Sequence, residues 1–183
     1  MIQGAPDPVH SPSIRGVPLL VVAELPPAVF AWADALRRSH YPPERNRLGA
    51  HVTLFHGLPP SAEPAVMSAL AQCTRLPAPG ATIGGVMDLG DGTALTVDSP
   101  ALVTLHEALA ERLHGLIQQK DARPLRLHIT VQAKVPPSQA RALQAQLVRD
   151  IQPRSFAFRG LGLYGWTGDL WQQTKAFPFR GRK

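Results

Sequence analysis

His51-Val52-Thr53-Leu54, trailed by Pro59-Pro60-Ser61, returns later in the chain as His128-Ile129-Thr130-Val131 trailed by Pro136-Pro137-Ser138. The histidines are 77 residues apart (128 − 51) and so are the proline pairs (136 − 59), so the two stretches align without a gap. In the same register Leu48 matches Leu125, Ala65 matches Ala142, Leu70 matches Leu147 and Gly85 matches Gly162. Two His-x-Thr triplets are weak evidence on their own in a chain with seven histidines. The shared Pro-Pro-Ser makes coincidence a poor explanation. The chain reads as an internal duplication.

Secondary structure read outward from the triplets agrees. Residues 17–24 form a β-rich apolar run, and 27–40 carry a helical pattern with Val29, Phe30, Ala33 and Leu36. Residues 52–55 read as a strand, and Ser61 is placed to cap a helix running to about Thr74. Strands near 82–89 and 94–98 are joined at Asp91-Gly92. In the second half Ser99 caps a helix with Pro100 in its first turn and a stripe of Leu102, Leu105, Leu109, Leu113 and Leu116. A strand over 127–131, a helix from Ser138, and strands near 156–166 and 170–177 complete the pattern, with Thr167-Gly168-Asp169 as the last turn. Each half is roughly strand, helix, strand, helix, strand. The expected fold is α+β and bilobal: two mainly antiparallel sheets with flanking helices, related by a pseudo-twofold axis, with the active site in the groove between lobes.

Strand geometry gives the triplets a chemical meaning. Residues i and i+2 project to one face, so His51 points with Thr53 and His128 with Thr130, while Val52, Leu54, Ile129 and Val131 face the helical layers. A twofold relation can bring both faces to one cleft, where two imidazoles and two hydroxyls would meet. One imidazole can take a proton from an attacking water while the other gives one to a departing ribose oxygen. The threonine hydroxyls can hold non-bridging phosphate oxygens. The plainer alternative is a polar pair kept by two duplicated strands.

The other histidines carry less. His56 lies three residues after the first triplet and either lines the same cleft or caps the strand end. His106 and His114, on one helix beside its leucine stripe, read as half-exposed. The chain has no His-x-His, Cys-x-x-Cys or His-Glu-x-x-His, so no metal site is expected. Phe55, a large apolar ring, reads as core.

Composition sets the outer bounds. With 183 residues, 44% hydrophobic and 17% charged, the chain suits one compact domain over 17–179, with a leader over 1–16 and a basic tail over 180–183. The leader, with its Pro, Ser and Gly, reads as disordered and lacks the pattern of a secretory signal. The formal charge of +6 favours polyanionic partners. The lone Cys73 forbids an intrachain disulfide, no apolar run is long enough to span a bilayer, and the protein is expected to be cytoplasmic.

The paired His-x-Thr motifs resemble those of the two-histidine (2H) phosphoesterase superfamily, and within it the bacterial 2′-5′ RNA ligase/RNA 2′,3′-cyclic phosphodiesterase family. The resemblance covers about residues 17–179. It implies hydrolysis of 2′,3′-cyclic phosphates to 2′-phosphates, or reversible 2′-5′ linkage formation, with no metal or other cofactor. It implies His51 as proton donor to the leaving oxygen, His128 as base, and Thr53 and Thr130 on the phosphate. Its partners would be RNA ends or nucleotides with cyclic or 2′-5′ phosphates, met by a monomer away from membranes. Many members carry an aromatic residue five positions after the first histidine and an arginine five after the second. This chain has His56 and Ala133 there, with Phe55 and Lys134 as neighbours.

Further substrate contacts are expected from the basic stretch entering the first motif, through Tyr41, Arg45 and Arg47, for which the alternative is a solvated loop. Tyr164 and Trp166 could offer a stacking face, or lie in the core. Two other functions fit the same motifs. One is processing of a small cyclic or 2′-5′ linked nucleotide; the other is a non-catalytic RNA-end binding module.

Overall fold

A computed structural model describes residues 16–117, 121 and 124–181. The expected leader, apart from Gly16, and the last two residues of the basic tail lie outside the described residues. Among the described residues eight strands form two four-stranded sheets, antiparallel throughout. The first has the order β2 (Val52–Leu58), β1 (Leu19–Glu24), β7 (Gly160–Trp166), β8 (Trp171–Pro178). The second has the order β5 (His128–Gln132), β4 (Thr93–Asp98), β3 (Gly80–Asp88), β6 (Arg154–Ala157). The first three positions of the two orders correspond at the 77-residue offset: β2 with β5, β1 with β4 and β7 with β3. Each motif strand is a sheet edge, beside the first strand of its own half.

Among the described residues four α-helices flank the sheets: α1 (Pro27–His40), α2 (Glu63–Cys73), α3 (Pro100–Arg112) and α4 (Pro137–Asp150). All four carry proline in the first turn, where its missing N–H removes no helical hydrogen bond. That accounts for part of the chain's high proline content. The Ser99 hydroxyl accepts from the Leu102 N–H at 3.3 Å, capping α3 as expected. Ser61 does not cap α2: it lies in a short 3-10 turn, Pro60–Ala62, that leads into the helix. Ser138 lies inside α4, which begins at Pro137. Arg37 and Arg38 lie in the last turns of α1.

The fold is α+β and bilobal as expected, one sheet to each lobe, but each lobe draws strands from both halves of the sequence. β3, the last strand of the first half, pairs with β4 in the second sheet, and β7, its counterpart at the 77-residue offset, pairs with β1 in the first. Gly85 and Gly162 occupy equivalent places, each third from the motif edge of its sheet. The stretch expected as one strand over 156–166 breaks at Phe158-Arg159: β6 joins the second sheet and β7 the first. Phe158, at the break, is buried and plugs the core where the chain changes sheets.

Alternation splits each sheet into a core face and a cleft face. Leu19, Val21 and Ala23 of β1 and Leu95 and Val97 of β4 enter the common core with Val52, Leu54, Ile129 and Val131. Phe55 is fully buried, as expected, and stacks on the imidazole of His106, with ring centroids 4.5 Å apart. His106 is therefore buried rather than half-exposed. It follows Leu102 by four residues and precedes Leu109 by three, which puts it on the inner face of α3. Tyr164 and Trp166 stay out of that core. Among the described residues no helix is long and apolar enough to cross a membrane.

Candidate active site

The segment leading into β2 is pinned to α1. Asp34, buried on the helix, accepts the Ala50 N–H at 3.0 Å, and the Arg37 Nε–H donates to Asn46 Oδ1 at 2.8 Å. Gly49 passes so close to the helix that a Cβ there would lie 3.0 Å from the Phe30 ring and 3.2 Å from the Asp34 carboxylate. Held in this way, the Gly49 carbonyl accepts the Nδ1–H of His51 at 2.7 Å.

The second motif repeats the device. His128 Nδ1–H donates to the carbonyl of Arg126, again two residues earlier, at 2.6 Å. A carbonyl can only accept, so each neutral ring carries its proton on Nδ1 and its lone pair on Nε2. The duplication has copied a tautomer as well as a residue. β2 and β5 lie against one another as the facing edges of the two sheets. Thr53 and Thr130, half-buried, share the faces of their histidines.

These four side chains line one cleft of about 400 Å³. Arg37, Tyr41, Arg45, Arg47 and His56 also line it, as do Trp166 and Trp171, whose rings meet edge to face at 5.4 Å. Of the residues expected at the site, Lys134 is not among them: its ammonium pairs with the Asp91 carboxylate at 3.1 Å. Lys134 also has a φ of 60°, so its backbone turns where a strand would have continued. Tyr164 lines an adjoining pocket, which shares His51 as a wall. Among the described residues no three His, Cys, Asp or Glu side chains converge in a metal-binding group.

Burial pushes the His51 pKa down to about 4, against the hydrogen bond to Gly49, with the Arg37 charge and the other two cleft imidazoles adding to the fall. His51 is neutral at pH 7. Burial also lowers the pKa of Arg37, opposed by Tyr41 and Asp34. The Arg37 guanidinium lies 4.0 Å from the centroid of the Tyr41 ring. Tyr164 is pushed up to about 12, first by burial and then by the Glu24 carboxylate, and remains a phenol.

The chain matches the model of the 2′-5′ RNA ligase superfamily over residues 25–170. It belongs to that superfamily. No curated protein sequence matches it. Among solved structures, TT0787 of Thermus thermophilus is 18% identical, with a TM-score of 0.63 over 91% of this chain and 100% of that one. Escherichia coli LigT complexed with 3′-AMP is 19% identical, with a TM-score of 0.62 over 90% and 99% of the two chains. Escherichia coli LigT complexed with NADP+ is 22% identical, with a TM-score of 0.58 over 89% and 99%. At these identities the likeness is one of fold. The superfamily is one of phosphoesterases and ligases.

Against the superfamily's pattern, His56 and Ala133 hold the places of the aromatic residue and the arginine, and both line the cleft. Arg37 and Trp171 are cleft residues that the sequence reading missed. Arg37 comes four residues after Ala33 and three after Asp34, all three buried on one face of α1. That spacing was the available signal. Trp171 stands opposite Trp166 in the β7–β8 pairing, which a hairpin register would have supplied.

Proposed function

We propose that this protein is a metal-independent phosphodiesterase that opens 2′,3′-cyclic phosphates of RNA ends or nucleosides to 2′-phosphates, and can form or cleave 2′-5′ linkages with the same groups. The observation that carries this reading is the matched pair of Nδ1–H bonds, from His51 to Gly49 and from His128 to Arg126, which leaves Nε2 of each ring as the nitrogen for proton transfer. Both rings line one cleft with both threonines. A purely structural histidine pair would not need the same ring nitrogen left over on each.

We assign His51 as the base because burial holds it neutral and able to accept a proton, the opposite of the role order that the family resemblance implies. Its Nε2 takes a proton from water as the water oxygen attacks phosphorus. The bond from phosphorus to the ribose 3′ oxygen breaks, and protonated His128 supplies the proton that oxygen needs. The phosphate stays on the 2′ oxygen. Thr53 and Thr130 hydroxyls donate to the non-bridging oxygens as their charge grows, and the Arg37 guanidinium at the cleft wall favours the same charge. With a 5′ hydroxyl in place of water the same exchange makes a 2′-5′ linkage; in reverse, the 3′ hydroxyl attacks phosphorus, the 5′ oxygen leaves with a proton, and the linkage is cleaved to the cyclic phosphate.

The test is hydrolysis of a nucleoside 2′,3′-cyclic phosphate in EDTA by the wild type, His51→Ala and His128→Ala. Chelator-resistant turnover to the 2′-phosphate, lost by at least about 100-fold in each variant, is the expected result. Inactive wild type, or a variant that keeps its rate, would overturn the reading.

A further inference from the structure

The cleft face of the first sheet continues past His51 into a second pocket of about 340 Å³. That is within the range of small-ligand pockets, about 300–1,000 Å³. His51 is the wall common to both, so a ligand reacting at His51 would extend into one or both. Two aromatic rings line the second pocket, Phe30 from α1 and Tyr164 from β7. Phe30 is 40% exposed, so its ring leaves surface open at this pocket.

The polar end of the pocket is built over a bare backbone. A Cβ on Gly162 would lie 2.7 Å from the Tyr164 ring, 3.0 Å from Glu24 Oε1 and 3.2 Å from Gln173 Nε2. Three side chains from three strands therefore converge on the space a side chain would fill. The Gln173 Nε2–H donates to Glu24 Oε1, so that amide hydrogen is spent. The Glu24 carboxylate retains lone pairs on both oxygens, and Gln173 retains its carbonyl. The pocket thus offers acceptors on the Glu24 carboxylate between aromatic surfaces, with the Arg159 guanidinium as the other charged group on its lining.

We infer that the pocket formed by Phe30, Tyr164, Glu24 and Gln173 is a nucleobase site that selects a base presenting adjacent N–H donors, guanine above all. Guanine offers N1–H and N2–H side by side to a carboxylate, a paired geometry stronger than a single neutral hydrogen bond. Uracil offers one N–H between two carbonyls, which a carboxylate repels. Flat bases stack on aromatic rings whatever their edge, so the rings supply affinity and Glu24 the choice. This deepens the phosphodiesterase reading and rests on it for the nature of the ligand: the scissile phosphate lies at His51 and one attached base lies in the second pocket.

The experiment pairs kcat/KM for guanosine and uridine 2′,3′-cyclic phosphates with the Kd of 2′-GMP and 2′-UMP, for wild type and Glu24→Gln. The substitution keeps the shape and the Gln173 hydrogen bond, and its thermal unfolding is recorded alongside. The expected result is a wild-type preference for guanine of about tenfold or more in both measurements, which in Glu24→Gln falls toward one. Equal use of the two bases by wild type, or a preference that Glu24→Gln leaves unchanged, overturns the proposal. If neither compound is hydrolysed, the phosphodiesterase reading fails while the two dissociation constants still decide the pocket.

Discussion

The Arg37 guanidinium donates from Nη1 to the backbone carbonyl of Thr130 at 2.7 Å, tying a helix of the first half to the strand that carries the second motif. Its Nε–H holds Asn46 in the segment that delivers His51. One buried side chain thereby sets the position of both histidines relative to each other.

Replacing it separates geometry from charge. Arg37→Met should cost about 1–3 kcal/mol in denaturant unfolding, since the Thr130 carbonyl and Asn46 lose their donor in a buried place. Arg37→Lys keeps a charge but not the fork, so it should restore little of the kcat/KM lost in Arg37→Met. Full activity in the lysine variant would show that only the charge matters.

The depressed His51 pKa gives a signed pH dependence. If His51 is the base, kcat/KM should fall on the acid side only as pH drops through about 4, well below the 6.5 of an unperturbed imidazole. Stability follows from the same shift. Between pH 6.5 and about 4 the unfolded chain binds the proton and the folded protein does not, so stability is full above pH 6.5 and declines as pH falls through that window. Buried His106, also shifted down, acts in the same direction. His51→Ala should therefore show a shallower loss of stability on acidification than wild type. An identical slope would mean that His51 is accessible to protons in the folded state.

Thr53→Val and Thr130→Val remove one hydroxyl each from strands whose cores are untouched. Each should lower kcat by about 10- to 1,000-fold, as loss of a transition-state donor does. Melting temperatures should stay close to wild type, because both residues are half-buried on the cleft face. A change in KM alone would place these hydroxyls on the substrate and not on the charge that develops during reaction.

Gly92→Ala should disturb the second motif from behind. A Cβ there would sit 2.2 Å from the Gln132 carbonyl oxygen and 2.7 Å from the Ala133 Cα, both backbone atoms at the end of the His128 strand. The expected outcome is lower stability together with weaker catalysis, measured by urea unfolding and turnover. Gly90→Ala, in open space but at a φ of 81°, should cost about 1 kcal/mol, with catalysis retained.

What could be read from the sequence depended on period. The 77-residue offset located both motif strands and the equivalence of Gly85 with Gly162, because duplication preserves spacing. It could not say which sheet β3 or β7 would join, since a strand's alternation is the same on either side of the molecule. Phe156 to Trp166 looked continuous for a related reason: β6 and β7 are both strands, and their separation is a change of partner at Phe158. Arg37 was missed and His106 misplaced because of chemistry, not period. Each falls on the buried face of its helix by spacing, yet polar side chains are expected outside unless partners are known. The partners, Thr130 for one and Phe55 for the other, lie across the molecule.

The exchange of β3 and β7 between sheets says something about ancestry and about cutting the chain. A single ancestral half would have had its last strand in a sheet it did not itself complete, so a pair of copies trading those strands is the arrangement that satisfies both. In this chain the trade is intramolecular. Severed at the Gly90 turn, the two pieces should neither fold alone nor drift apart once folded together, because each contributes a strand to the inside of the other's sheet.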